Sequence, residues 1–156
     1  AVLLDGTVPQ LNLASSSRNL ARYYRYGPST RNFDHASYVE EYLAFAGVGL
    51  RPYRPSHLSA SFDQNSNVTT SWVRRTRIDG DNWQAADVPL GETSEAYHVR
   101  VLRDGSLVRE VDLTVPNWTY SQADQVSDGT TGTLKIEVAQ ISERFGAGPY
   151  AGVTVE

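Results

Sequence analysis

The sequence predicts an all-β protein, with a two-sheet sandwich over residues 55–156 and a β-rich linking segment, the end of a preceding domain, over residues 1–54. Three observations predict it. Beyond residue 57, apolar residues alternate with polar ones, the period of a half-buried strand. Turn-forming residues separate these runs at short intervals, as in sandwiches and barrels. Two prolines in RPYRPSHL, residues 51–58, fix φ and restrict the residues before them, which suits a linker into a new domain.

Taken in order, residues 1–28 hold two short β segments, AVLLDGTVPQLNL and LARYYRYGP, and residues 29–37 read as a loop. SYVEEYLAFAG, residues 37–47, stands between two forms. Ser37 with Glu40 makes a capping box and Gly47 would stop a helix. As a strand, Val39, Leu43 and Phe45 share one phase, with Glu41 among them. The β surroundings favour extended structure. HLSASF is a short strand, NVTTSWVRR puts Val68, Thr70 and Trp72 on one face, and AYHVRVLRDG does the same with Tyr97, Val99 and Val101. SLVREVDLTV aligns Leu107, Val111 and Leu113. WTY at 118–120 is short, TLKIEVAQIS points Leu134, Ile136 and Val138 inward, and AGVTVE closes with Val153 and Val155. Seven strands in about a hundred residues is a sandwich count.

The turn at Asp104-Gly105 sets a register. A two-residue loop would place Val99 opposite Glu110 and mix the faces. A three-residue loop, Arg103-Asp104-Gly105, pairs Val101 with Leu107 and Tyr97 with Val111, so the sequence predicts that loop, with Gly105 left-handed. Trp72 is expected between the sheets, surrounded by Tyr97, Val99, Ile136 and Val138.

Composition narrows the function classes. A chain of 156 residues can bury roughly 68–70% of its unfolded surface and needs no staple. The net charge of −4 argues against general nucleic-acid binding, which needs a net basic face. Lys135 is the only lysine; the arginine bias suits planar interface contacts and equally fits a GC-rich genome. With no cysteine, disulfides and thiolate metal sites are excluded. YLAFAGVGL at 42–50 is too short to span a bilayer, so no membrane insertion by this chain is expected. There is no signal-peptide pattern. The absence of any methionine and the start at Ala1 in mid-pattern suggest a piece of a larger polypeptide.

The second part resembles a fibronectin type III module, an immunoglobulin-like β-sandwich. The residues carrying the resemblance are Pro55 and Leu58 at its start, Trp72 on the second strand, Tyr97-x-Val99 on the third and Tyr120 before the sixth. The ending LKIEVAQISERFGAGPYAGVTV is similar to the family's V-x-A-x-N-x-x-G-x-G-x-x-S, with Gln140 to Ser142 where Asn is usual and Tyr150 where Ser is usual. A narrower resemblance rests on GPSTRNF, FAGVGLRPYRPSHL, SWVRRTRIDGDNW and VPLGETSEAYHV, in that order. These strings are similar to the C-terminal region of the baseplate hub, or host-specificity, protein of gene transfer agents and siphophages. That resemblance implies a non-enzymatic, structural role. The chain would sit at the tail tip of a virion-like particle, made in the bacterial cytoplasm and extracellular after release. Its partners would be other baseplate proteins or a cell-surface glycan, and the parent protein would be able to oligomerise. The family's hydrolase-like region has no counterpart here. The competing reading is a carbohydrate-binding accessory module of a phage or a secreted glycan-active enzyme.

No cofactor, metal or catalytic residue is expected. His35, His57 and His98 have no partner at ligand spacing, and Asp34-His35 lacks a serine elbow. Asp79-Gly80-Asp81-Asn82 has a faint calcium-loop flavour, but Trp83 and Gln84 break the spacing, so a turn is expected. Glu40-Glu41 and Glu92/Glu95 read as solvated pairs. One stretch is unusual: SWVRRTRIDGDNW, residues 71–83, carries a core strand on into arginines and a second tryptophan. Residues 75–95 stand where the related modules have a short connection. The sequence predicts a two-stranded arm there, with Arg75, Arg77, Asp79, Asp81 and Trp83 as its candidate interaction surface. Arginine and tryptophan dominate interface hot spots, and together they also suit stacking on a sugar ring. The plain alternative is a solvated hairpin with Trp83 folded back on the module.

Overall fold

The structure is a computed structural model that describes residues 13–80, 87–130 and 132–155. The chain forms two compact units, Ala1–Gly49 and Leu50–Glu156.

In the first unit, β1 (Ala21–Tyr26) pairs antiparallel with β2 (Val39–Ala44), so the 37–47 segment is extended. Tyr23 lies opposite Tyr42 and Arg25 opposite Glu40. The Tyr23 and Tyr42 rings meet at a tilt with centroids 4.5 Å apart, and Arg25 reaches Glu40 at 3.3 Å. Such cross-strand pairs are the unit of sheet stabilisation, which explains why a segment with helix-cap signals at both ends is a strand. Between the strands, the Tyr38 ring lies where a side chain on Gly27 would be, 2.6 Å from an added Cβ. Only glycine permits that approach.

The second unit is a two-sheet sandwich. One sheet has the order β3 (Ser56–Phe62), β4 (Val68–Val73), β7 (Asn117–Tyr120). The other runs β10 (Ala151–Val155), β8 (Leu134–Ser142), β5 (Tyr97–Arg103), β6 (Ser106–Leu113), with the two-residue β9 (Gly146–Ala147) beside β8. The inward phase of each strand makes the core: Val68 and Trp72 from β4, Tyr97, Val99 and Val101 from β5, Leu134, Ile136 and Val138 from β8, with Tyr120 and Val155. Trp72 is 4% exposed and meets the Tyr97 ring edge-on at 5.1 Å, as the alternation predicts.

The β5–β6 register differs from the expected one. Arg103 pairs with Ser106 across a two-residue turn, Asp104-Gly105, with φ of 50° and 80°. Two successive positive φ values define the type I′ turn that matches strand twist. The faces do not mix, because the register slips between Val101 and Leu102: Val101 faces Arg109, whereas Leu102 faces Leu107. Val108 is the extra residue of that bulge. Val99 thus meets Val111 and Tyr97 meets Leu113, while Leu107 is left 51% exposed and Val108 packs on the core instead. A bulge does the work assigned to a longer loop.

A short helix, α1 (Gln122–Ser127), follows β7. Ser121 caps it: its hydroxyl accepts from the Asp124 N–H and donates to the Asp124 carboxylate at 2.6 Å. Just beyond, Asp128 takes two hydrogen bonds from Arg109, at 2.6 and 3.0 Å, and one from the Tyr120 hydroxyl at 2.6 Å. Arg109 holds the Asp128 carboxyl below the ordinary carboxylate range. Burial, helped by the Asp128 hydrogen bond, raises the Tyr120 hydroxyl.

Candidate functional site

β4 ends at Val73 and β5 begins at Tyr97, and the described residues between them, 74–80 and 87–96, contain no strand. The first half of the expected arm, Arg75 to Arg77, is therefore not a strand, while residues 82–86 of its second half lie outside the described residues. Two of the arginines in this stretch, Arg74 and Arg77, find acceptors within it. Arg74 donates to the carbonyls of Val88 and Pro89, at 2.7 and 3.0 Å, and to the Asp87 carboxylate at 2.9 Å. Arg77 donates to Glu92 at 2.7 Å, with the two side chains only 18% and 11% exposed. Charge-assisted bonds of this kind are roughly twice as strong as neutral ones. Pro89, moreover, cannot donate to a second strand's ladder. Gly91, at φ +70°, lets the returning chain pass Thr76, whose hydroxyl lies 3.0 Å from where a Cβ would be.

One side chain ties this loop to the sandwich. Gln140 continues the inward phase of β8 and is 8% exposed. Its amide accepts from the Arg75 N–H at 2.6 Å and donates to the Arg75 carbonyl at 2.8 Å, supplying both halves of a ladder pair. The Gln140 backbone carbonyl takes the Gly148 N–H at 2.9 Å. Gly148 in turn packs against the Pro52 backbone, leaving no room for a side chain. Pro52 and Pro55 are buried and hold Tyr53 exposed between them. The Arg75 guanidinium lies over the Tyr53 ring, 5.0 Å from its centroid.

These elements surround an open cleft of about 400 Å³, lined by Tyr53, Arg74, Arg75, Thr76, Arg77, Asp79, Gly80 and Val88. Three of the five candidate residues, Arg75, Arg77 and Asp79, therefore share one site. Asp81 and Trp83 lie outside the described residues. Sequence reasoning missed Tyr53, Arg74, Glu92 and Gln140. Only Gln140 carried a signal: a polar residue continuing the Leu134, Ile136, Val138 phase is buried and demands partners.

Several other titratable groups are engaged structurally. Glu95 accepts from the Tyr97 hydroxyl at 2.7 Å, and burial, with this bond, raises that hydroxyl well above its ordinary range. His35 bonds Ser37 at 2.8 Å and His98 bonds Tyr150 at 2.9 Å. Glu137 is crowded by burial, yet Lys135 and Arg100 together hold its carboxyl below the usual value. Among the described residues no cluster of acidic, histidine or cysteine side chains has the geometry to hold a metal ion.

No protein-family model and no curated protein matches the sequence. Solved structures do. Domains d3-d4 of the rat CD45 extracellular region align over 99% of this chain and 72% of that one, at 10% identity and a TM-score of 0.50. The FN1-FN3 domains of chicken CNTN1 align over 74% of this chain and 35% of that one, with 14% identity and a TM-score of 0.48. For the FN5 domain of Drosophila Lar the values are 67%, 94%, 17% and 0.38. With the three- and five-stranded sheets described above, the chain is an all-β protein with an immunoglobulin-like, fibronectin type III-like sandwich.

Proposed function

We propose that the chain is a non-enzymatic docking module of a phage-tail-like baseplate hub, and that it engages a neighbouring tail-tip protein through the 74–96 loop. The setting rests on the four sequence strings similar to the C-terminal region of gene transfer agent and siphophage hub proteins. The observation carrying the docking role is the clamp of Gln140 on Arg75, which holds the start of the long connection against the sandwich and sets an exposed arginine over the exposed ring of Tyr53. Fixed aromatic and arginine side chains are the residue types that anchor interfaces at low entropic cost.

The test is a double substitution, Tyr53→Ala with Arg75→Ala. Assembly of the tail tip, or attachment of the particle to recipient cells, should fall at unchanged melting temperature. Normal assembly and attachment by the variant would overturn the reading. A glycan array separates the competing class: saturable binding to a sugar, lost in the same variant, would make the chain a carbohydrate-binding module.

A further inference from the structure

The three arginines at the end of β4 are not equivalent. Arg74 and Arg77 are spent inside the loop, on Asp87, two carbonyls and Glu92. Arg75 is exposed and has no carboxylate within salt-bridge distance among the described residues; its guanidinium lies over the face of Tyr53. A guanidinium stacked on a ring keeps its in-plane N–H edges free, and those edges match the two oxygens of a carboxylate. Gln140 fixes the Arg75 backbone from both sides, and the close Pro52–Gly148 contact holds the backbone next to Tyr53. Little conformational freedom remains to be lost on binding.

We infer that this cleft takes a carboxylate side chain, Asp or Glu, presented by a protein partner, with Arg75 as its bidentate donor. The inference rests on the docking role proposed above and names the chemistry of the partner. Charge complementarity argues for it: among the described residues Arg75 is the cleft arginine with no carboxylate at salt-bridge distance, and an acidic side chain is its complement. The size agrees, since about 400 Å³ is at the small end for a ligand pocket and suits one or two residues rather than a folded surface. Asp79 also lines the cleft, exposed and at φ 46°. It opposes an incoming carboxylate, so its charge weakens binding and keeps the contact selective for a well-aligned acid.

The experiment uses the full chain and two fluorescent peptides, one glutamate-rich and one with glutamines in the same positions, read by anisotropy at low and high salt. The glutamate peptide should bind at least tenfold more tightly than the glutamine peptide, and added salt should weaken it. Arg75→Gln should abolish that preference. Arg75→Lys, which keeps the charge and loses the fork, should recover only part of it. Asp79→Asn should tighten binding a few-fold. Melting temperatures of all variants should match the parent, which separates lost recognition from lost folding. Equal binding of the two peptides, or an unchanged preference in Arg75→Gln, overturns the inference. An acidic polysaccharide that outcompetes the glutamate peptide overturns it also, by assigning the cleft to a glycan. If Arg75→Gln loses the peptide but still joins a tail-tip protein encoded beside it, the carboxylate contact is not the docking contact and the inference falls while the module reading stands. If the parent chain joins no such protein, the module reading itself fails.

Discussion

Replacing Gln140 by leucine isolates the clamp between the long loop and the sandwich. The substitution keeps a side chain of similar volume in a site only 8% exposed, so little packing is lost. What disappears is the pair of hydrogen bonds to the Arg75 backbone, at 2.6 and 2.8 Å. A neutral hydrogen bond contributes about 0.5–1.5 kcal/mol net, and water reaches exposed Arg75 in part, so the pair should be worth about 1–3 kcal/mol. For a domain of this size that corresponds to a drop of roughly 4–12 °C in melting temperature. The loss should be local in origin: amide exchange at Arg75 should accelerate far more than in the core strands. Gln140→Glu is the control. It keeps an acceptor for the Arg75 N–H but sets a carboxylate oxygen against the Arg75 carbonyl, so it should lose most of the stability while exchange at Arg75 stays slower than in the leucine variant. Thermal melts and hydrogen exchange on the three proteins decide the matter. A shift below about 2 °C in Gln140→Leu, with unchanged exchange at Arg75, would show that the loop holds its place without the clamp.

Four further outcomes follow from the same structure. Trp72→Ala removes a buried indole stacked edge-on against Tyr97 and should cost about 3–5 kcal/mol in urea unfolding. Because Arg109 depresses Asp128 in the folded state, their stabilisation is complete above the unfolded carboxylate value near about pH 4 and is lost as acidification passes the lower folded value. Asp128→Asn should therefore flatten the acid limb of the stability profile, measured as urea midpoints against pH. Gly91→Ala combines a positive φ with a 3.0 Å clash against Thr76 and should loosen the loop, seen as proteolytic cleavage between residues 74 and 96. Calcium should leave the melting temperature unchanged in the parent and in Asp79→Ala alike, since a ligand bound by the native state alone must stabilise it.

The sandwich was legible because its signal is local and periodic. Val68-x-Thr70-x-Trp72 and Leu134-x-Ile136-x-Val138 show their inward faces without any tertiary information, and both are buried as read. The β5–β6 turn was half legible. The mixing of faces that a plain two-residue loop would cause was real, but the choice between a longer loop and a bulge depends on twist and on packing of Val108, which no short-range pattern encodes. The helix at Gln122 escaped notice because six residues carry too little periodicity, although Ser121 and Asp124 form a visible cap. The site was least legible. Arg75, Arg77 and Asp79 stood out by composition, yet their neighbours Tyr53 and Gln140 come from 22 and 65 residues away in the chain. Nor does the sequence reveal which of the three arginines at 74, 75 and 77 has no carboxylate among the described residues. That depends on Asp87, Val88, Pro89 and Glu92 returning across the loop.

The bulge at Val108 has an effect on how copies of this chain behave together. β6 is the outer strand of its sheet, and eight residues of unpaired backbone would otherwise template a neighbouring strand. An extra residue twists that margin and breaks the regular spacing of its donors and acceptors, so a second chain cannot zip along it in register. Wherever two copies of this chain come close together, this keeps their β6 margins from fusing into continuous sheet and leaves association to side chains.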